Sequence, residues 1–200
     1  MRRNLIYGIL LVTFAILTYL FAPQPQPASA CACCVDAGTW DQYSQDVGDY
    51  ELKTFNELQF ASQAELYMTP AGLSIIEGLG EPSPPYTISR SINGRNWNFQ
   101  FTDDQGRTGN LSFSYPPTVT HFRSSLGSQL ERPVTVYKEY RAEGKLSGNG
   151  IFAPGITDNT RFKLILQSTG NRCMSSEQFD SWRLNVSGPE AEYAFYGSLN

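Results

Sequence analysis

Histidine is almost missing from this chain: His121 is the only one in 200 residues. A His-Glu-x-x-His zinc motif is thereby excluded. A catalytic triad would need this single imidazole, an oriented partner and a nucleophile at hydrogen-bonding distance. Ser124 and Ser125 follow closely in sequence, which supplies no such geometry. Beside Phe122 and Arg123, His121 reads as a strand-surface or loop residue. No Gly-x-Ser-x-Gly elbow is present. The glycine-rich stretch Gly144–Gly150 lacks the Gly-x-x-x-x-Gly-Lys-Ser/Thr pattern and any βαβ surroundings, so it reads as a hairpin turn. Carboxylate pairs such as Glu139 with Glu143, or Glu177 with Asp180, do not stand out from ordinary solvated charges among 19 acidic residues.

Basic runs are missing as well. Leaving aside Arg2 and Arg3, the 15 basic residues become 13 against 19 acidic ones, a net charge of −6. Nucleic-acid binding needs Lys and Arg to neutralise phosphates, and anionic membrane surfaces attract polybasic segments. The expectation is no nucleic acid. Membrane contact is expected only through the N-terminal segment or a lipid on Cys31. Low-complexity sequence is confined to Pro23-Gln24-Pro25-Gln26-Pro27, and no internal repeat is evident.

Against these absences stands a marked N-terminus. Arg2 and Arg3 precede an uncharged run from Leu5 to Ala22, and Ala28-Ser29-Ala30 offers the small-x-small pattern of a signal-peptidase site. Residues 1–30 therefore read as a cleavable export signal. The apolar run also has about the length that spans a bilayer, so an uncleaved anchor is an alternative. A lipoprotein route, with Cys31 as the acylated residue, fits less well because Ala28 stands where that machinery prefers leucine. All three routes place residues 31–200 outside the cytoplasm, periplasmic or secreted.

Three of the four cysteines, Cys31, Cys33 and Cys34, sit together, and Cys173 stands far along the chain. As thiolates they would suit copper or zinc. Structural zinc sites take ligand pairs two to four residues apart, whereas these cysteines are separated by one residue and by none. Adjacent cysteines in extended backbone also point to opposite sides. An exported location favours disulfides instead. Pairing Cys173 with Cys33 or Cys34 closes a loop of about 140 residues, which chain entropy rates on the order of 5 kcal/mol. Four cysteines allow three complete pairings, so the connectivity stays open.

Residues 31–49 form an acidic, cysteine-containing lead-in, and residues 50–200 the body of one domain. At 170 residues, positions 31–200 can bury roughly two-thirds of their unfolded surface without staples or metals. The dominant period is two. Trp97, Phe99 and Phe101 alternate with polar residues, and after Asp103-Asp104-Gln105-Gly106 the alternation resumes in Leu111, Phe113 and Tyr115, which predicts a hairpin. Tyr86, Ile88 and Ile92 share a parity, as do Val134 with Val136, Phe162 with Leu164 and Leu166, and Trp182 with Leu184 and Val186. Gly- and Pro-containing clusters separate these runs, predicting an all-β, single antiparallel domain of barrel or sandwich type. Glu57–Met68 is expected to run as strand, through Leu58–Phe60 and Leu66–Met68. Twelve Phe, eleven Tyr and three Trp fill the core, or else line a hollow barrel.

The start Cys31-Ala32-Cys33-Cys34-Val35-Asp36-Ala37-Gly38-Thr39-Trp40, the segment Glu65–Gly72, and the closing Asn171–Cys173, Trp182–Leu184 and Tyr193–Leu199 resemble a family of exported bacterial proteins with no assigned activity. Its mature region begins with an ACxCC-type motif followed by Gly and Trp. The resemblance implies an extracytoplasmic protein and transfers no functional residue.

The sequence thus supports an exported, non-enzymatic β binding or scaffold protein of the cell envelope. Its expected partner is an envelope protein or a small apolar ligand, with no cofactor. The rival is a copper or zinc thiolate site, or a redox site, built from Cys31, Cys33, Cys34 and Cys173. A hydrolase using His121 or the carboxylates is the third reading.

Overall fold

In the alternating stretch Asn96–Thr102 the side chains of Trp97, Phe99 and Phe101 are buried and their neighbours face outward. A computed structural model describes residues 35–68, 85–126, 135–171 and 174–200. All of them belong to the compact unit spanning Cys33–Asn200. The strands are β1 (Trp40–Asp46), β2 (Gln63–Met68), β3 (Tyr86–Asn93), β4 (Asn96–Thr102), β5 (Thr108–Ser114) and β6 (Thr118–Leu126). They continue with β7 (Thr135–Lys145), β8 (Ser147–Gly150), β9 (Arg161–Thr169), β10 (Phe179–Gly188) and β11 (Ala191–Ser198). One α-helix, α1 (Asp49–Glu57), lies between β1 and β2.

All pairings are antiparallel, in the order β1-β6-β7-β9-β10-β11-β2-β3-β4-β5-β8. Among the described residues the sheet does not close by hydrogen bonds. Its end strand β8 pairs with β5 from Gly109↔Gly150 to Ser112↔Ser147. The same β8 follows directly from β7 after the single residue Leu146. The chain, rather than a ladder, therefore joins the end strand β8 to β7, the third strand from the other edge.

Rings meet across the interior and make the fold sandwich-like. Phe99 of β4 stacks on Trp182 of β10 at 5.9 Å, Phe101 of β4 on Phe195 of β11 at 4.1 Å, and Phe113 of β5 on Phe162 of β9 at 4.1 Å. Such pairs add about 0.5–1.5 kcal/mol each beyond the area they bury. Trp97 and Trp182 belong to this core, while Trp40 is 67 % exposed on β1.

Local chemistry explains the turns. In the β4–β5 hairpin, Asp103 Oδ1 accepts the N–H groups of Gln105 (3.0 Å) and Arg107 (2.8 Å), and Gly106 takes φ 78°. The β3–β4 turn needs only two residues, Gly94 and Arg95, with Gly94 at φ 59°. Asp49 and Glu51 sit in the first turn of α1, where the helix dipole favours negative charge. At its other end Arg90, from β3, donates to the carbonyls of Phe55, Asn56 and Leu58. Burial of Phe55 and Leu58 then holds the helix against the aromatic core.

Three expectations need correction. Gly144–Gly150 is not a hairpin turn: it carries the end of β7, Leu146 and β8, because its glycines allow close packing. A Cβ on Gly148 would lie 2.7 Å from Ile156 Cγ1. The run from Leu58 to Phe60 is no strand either. Phe60 forms an isolated bridge to Leu199, and strand begins only at Gln63. Helix α1 was not anticipated, and the acidic lead-in contains β1. Val134 lies outside the described residues.

Candidate functional site

On β3 the outward positions are Thr87, Ser89, Ser91 and Asn93. On β4 they are Asn96, Asn98, Gln100 and Thr102. On β5 they are Thr108, Asn110, Ser112 and Ser114, and on β8 Ser147 and Asn149. None carries a charge. Register aligns them in rows across the strands, such as Ser91, Asn98, Ser112 and Ser147, because the side-chain period of two matches the pairing. Arg90 does not interrupt this face, since its guanidinium points inward to the end of α1. Elsewhere the outward positions include Glu139, Arg141 and Glu143 on β7, Lys163 on β9 and Arg183 on β10.

The rows hold one another. Ser112 Oγ donates to Asn98 Oδ1 at 2.7 Å, Asn98 Nδ2 to Asn110 Oδ1 at 3.4 Å, and Asn110 Nδ2 to Asn149 Oδ1 at 2.9 Å. Each amide has four hydrogen-bonding positions, so capacity beyond these bonds remains.

At the seam, where β5 runs on past its pairing with β8, a groove of about 920 Å³ opens. Ser91, Asn96, Asn98, Ser112, Ser114 and Ser147 line it with hydroxyls and amides. Ile92, Ile156 and the buried Trp97, Phe113 and Leu146 supply apolar surface. Lys145 and Asp158, of opposite sign, are its charged residues. This size is that of sites that hold small organic molecules, about 300–1,000 Å³.

A second cluster surrounds His121 on the inward face of β1, β6 and β7. Its Nδ1 lies 2.6 Å from Tyr43 Oη, its ring stacks on Tyr140 at 4.2 Å, and its Nε2 is buried with no partner among the described residues. Burial, with the positive charge of Arg123, lowers its pKa to about 4, so the imidazole is neutral near pH 7. A neutral ring with Nε2–H leaves Nδ1 to accept from the Tyr43 hydroxyl. Arg123 forks onto Asp41 through Nε–Oδ1 at 3.0 Å and Nη2–Oδ2 at 2.6 Å. Those bonds hold the Asp41 carboxyl below its usual range. Burial lowers the pKa of Lys138, whose Nζ donates to Gln178 Oε1 at 3.2 Å.

The sequence-derived candidates are therefore dispersed. His121 is bonded to a tyrosine, and Ser125 Oγ receives the Gly38 N–H. Glu139 is held by Tyr137 and Arg141, and Glu143 pairs with Lys163 at 2.8 Å. Cys31, Cys33, Cys34 and Cys173, the candidate metal ligands, lie outside the described residues. Among the described residues no group of His, Cys, Asp and Glu could hold a metal ion. The uncharged face and the groove were missed by sequence reasoning. Their signal was there: every second residue from Thr87 to Asn93 and from Asn96 to Thr102 is Ser, Thr, Asn or Gln.

No family model, no curated protein and no solved structure matches the chain.

Proposed function

We propose that the chain is an exported, non-enzymatic β binding module that holds a neutral, polar ligand in the groove at the β5–β8 seam. The observation that carries this is the groove itself: about 920 Å³, walled by hydroxyls and amides over an apolar floor. A ligand there exchanges its water hydrogen bonds for protein ones, while the apolar floor supplies burial. Rings stacked across the interior support an outer site over an apolar cup inside the sheet. The uncharged run and Ala28-Ser29-Ala30 at the N-terminus support export, and the envelope is then the place of action.

The test is native mass spectrometry of the full chain purified from its own host, beside a Ser114→Trp variant that fills the groove. A neutral mass adduct on the wild type that disappears from the variant, at unchanged melting temperature, is the expected result. An adduct equally present on both proteins, or no adduct on the wild type, would sink the proposal.

A further inference from the structure

The groove is the end of a larger surface. The rows running from Ser91 to Ser147 and from Ser89 to Asn149 cross β3, β4, β5 and β8 without a charge. Strands lie about 4.8 Å apart and same-face residues about 6.8 Å apart, so this lattice is regular in both directions. Solvated sheet faces ordinarily carry charged side chains, as β7, β9 and β10 do here. Edge strands in particular are guarded by charge, and β8, at the edge, has the sequence Ser-Gly-Asn-Gly.

Resting on the groove reading, we infer that the ligand is a neutral polysaccharide, lying across the uncharged face of β3, β4, β5 and β8 with one segment in the groove. The match is chemical. Sugar hydroxyls donate and accept, as do amides and hydroxyl side chains, and vicinal hydroxyls can meet one amide at both its atoms. A lysine or carboxylate on this face would lose hydration against a chain that offers no opposite charge. The bonds from Ser112 through Asn98 and Asn110 to Asn149 fix the side chains in advance, which reduces the ordering needed on binding. An acidic or basic polymer finds no complementary charge on this face, and the groove offers one charge of each sign, Lys145 and Asp158. A second copy of the chain, the other occupant of such a face, would show as a dimer.

The experiment is native electrophoresis of the full chain through gels cast with soluble starch, arabinoxylan, mixed-linkage glucan or dextran. Carboxymethyl-cellulose serves as the charged control. Retardation by at least one neutral polymer, unchanged by added salt and absent with the charged polymer, is expected. Gln100→Glu and Asn110→Asp place a charge on the exposed lattice and should weaken retardation at least tenfold, while Gln100→Asn keeps most of it. No retardation by any neutral polymer, or retardation indifferent to both charged variants, overturns the inference. Dimerisation that Gln100→Glu abolishes, without polysaccharide binding, overturns it in favour of a second copy. If Gln100→Glu still carries the host adduct that Ser114→Trp loses, but no polymer retards the wild type, the groove reading stands and the polymer falls.

Discussion

The guanidinium of Arg90 donates to the carbonyl of Leu58 at 2.6 Å while its face lies 4.6 Å from the Phe60 ring. The same group reaches the Phe55 and Asn56 carbonyls at 3.2 and 2.9 Å, and its Cζ lies 4.9 Å from the centroid of the Trp97 ring. A residue of β3 thus terminates α1, satisfying carbonyls that the helix itself leaves bare. Burial lowers the Arg90 pKa to about 10, so it stays cationic near neutrality.

Arg90→Met should therefore destabilise the fold by about 3 kcal/mol, since charge-assisted hydrogen bonds contribute about 1.5–3 kcal/mol each and are not additive. Arg90→Lys should recover less than half, because an ammonium cannot fork across several carbonyls. Urea unfolding measures both. Equal stability of the wild type and Arg90→Met would refute the role of Arg90 in ending the helix.

His121 gives a pH dependence of defined sign. Its folded pKa of about 4 lies below the ordinary 6.5, so between these values the unfolded chain binds the extra proton. The stability involved is complete above about pH 6.5 and is lost as the pH falls towards 4, about 3 kcal/mol at 1.36 per pKa unit. Tyr43, Tyr140, Lys138 and the Asp41–Arg123 pair surround the ring. Asp41 and Glu139, both held low, lose their contribution at still lower pH. Comparing urea midpoints of wild type and His121→Gln at pH 7 and pH 4.5 isolates the histidine. A wild-type loss no larger than that of the variant would count against the buried neutral ring.

Gly150 takes φ 61°, and a Cβ there would run into the Thr108 carbonyl oxygen and stand 2.8 Å from Gly109 Cα. Gly150→Ala should cost at least about 2 kcal/mol through strain and loss of the β5–β8 ladder. Amide exchange would show the change first at Gly109–Ser112, and unchanged protection there would refute it.

The cysteine pairing is testable from the flanking positions. The Ser125 N–H donates to the Thr39 carbonyl, Ser125 pairs with Val136, and the Val136 N–H donates to Asn171 Oδ1. Thr39 and Asn171 are thus three strand spacings apart, about 14 Å. Extended chain reaches up to about 3.4 Å per residue, enough for Cys33 or Cys34 to meet Cys173. Intact mass without reductant should show a bridge to Cys173, and Cys173→Ser should lower stability by up to about 5 kcal/mol. Free thiols with bound copper or zinc would favour the thiolate site instead.

Strands whose two faces differ sharply were legible from sequence. Trp97, Phe99 and Phe101, like Phe162, Leu164 and Leu166, alternate with polar residues and face the core as the period requires. Strand β1 was not, because its residues are mostly exposed and half-exposed and leave no alternation to read. Helix α1 escaped because its hold comes from Arg90, over thirty residues later. Glycines at 144, 148 and 150 looked like a turn, whereas contacts with Phe162, Ile156 and the Thr108–Gly109 backbone demand them within β7 and β8. The uncharged face needed the order of β3, β4, β5 and β8 before its separate residues became one surface.

Leu146 separates β7 from β8, and β8 reaches β5 across about 40 residues of chain. The backbone ladder of this seam spans four paired positions and that of β2 with β3 two, while β7 and β9 share nine. Local opening should therefore start at these two short ladders, before the body unfolds. A ligand held in the groove would act as a pin through the β5–β8 catch, slowing exchange at β5 and β8 more than at the β2–β3 ladder.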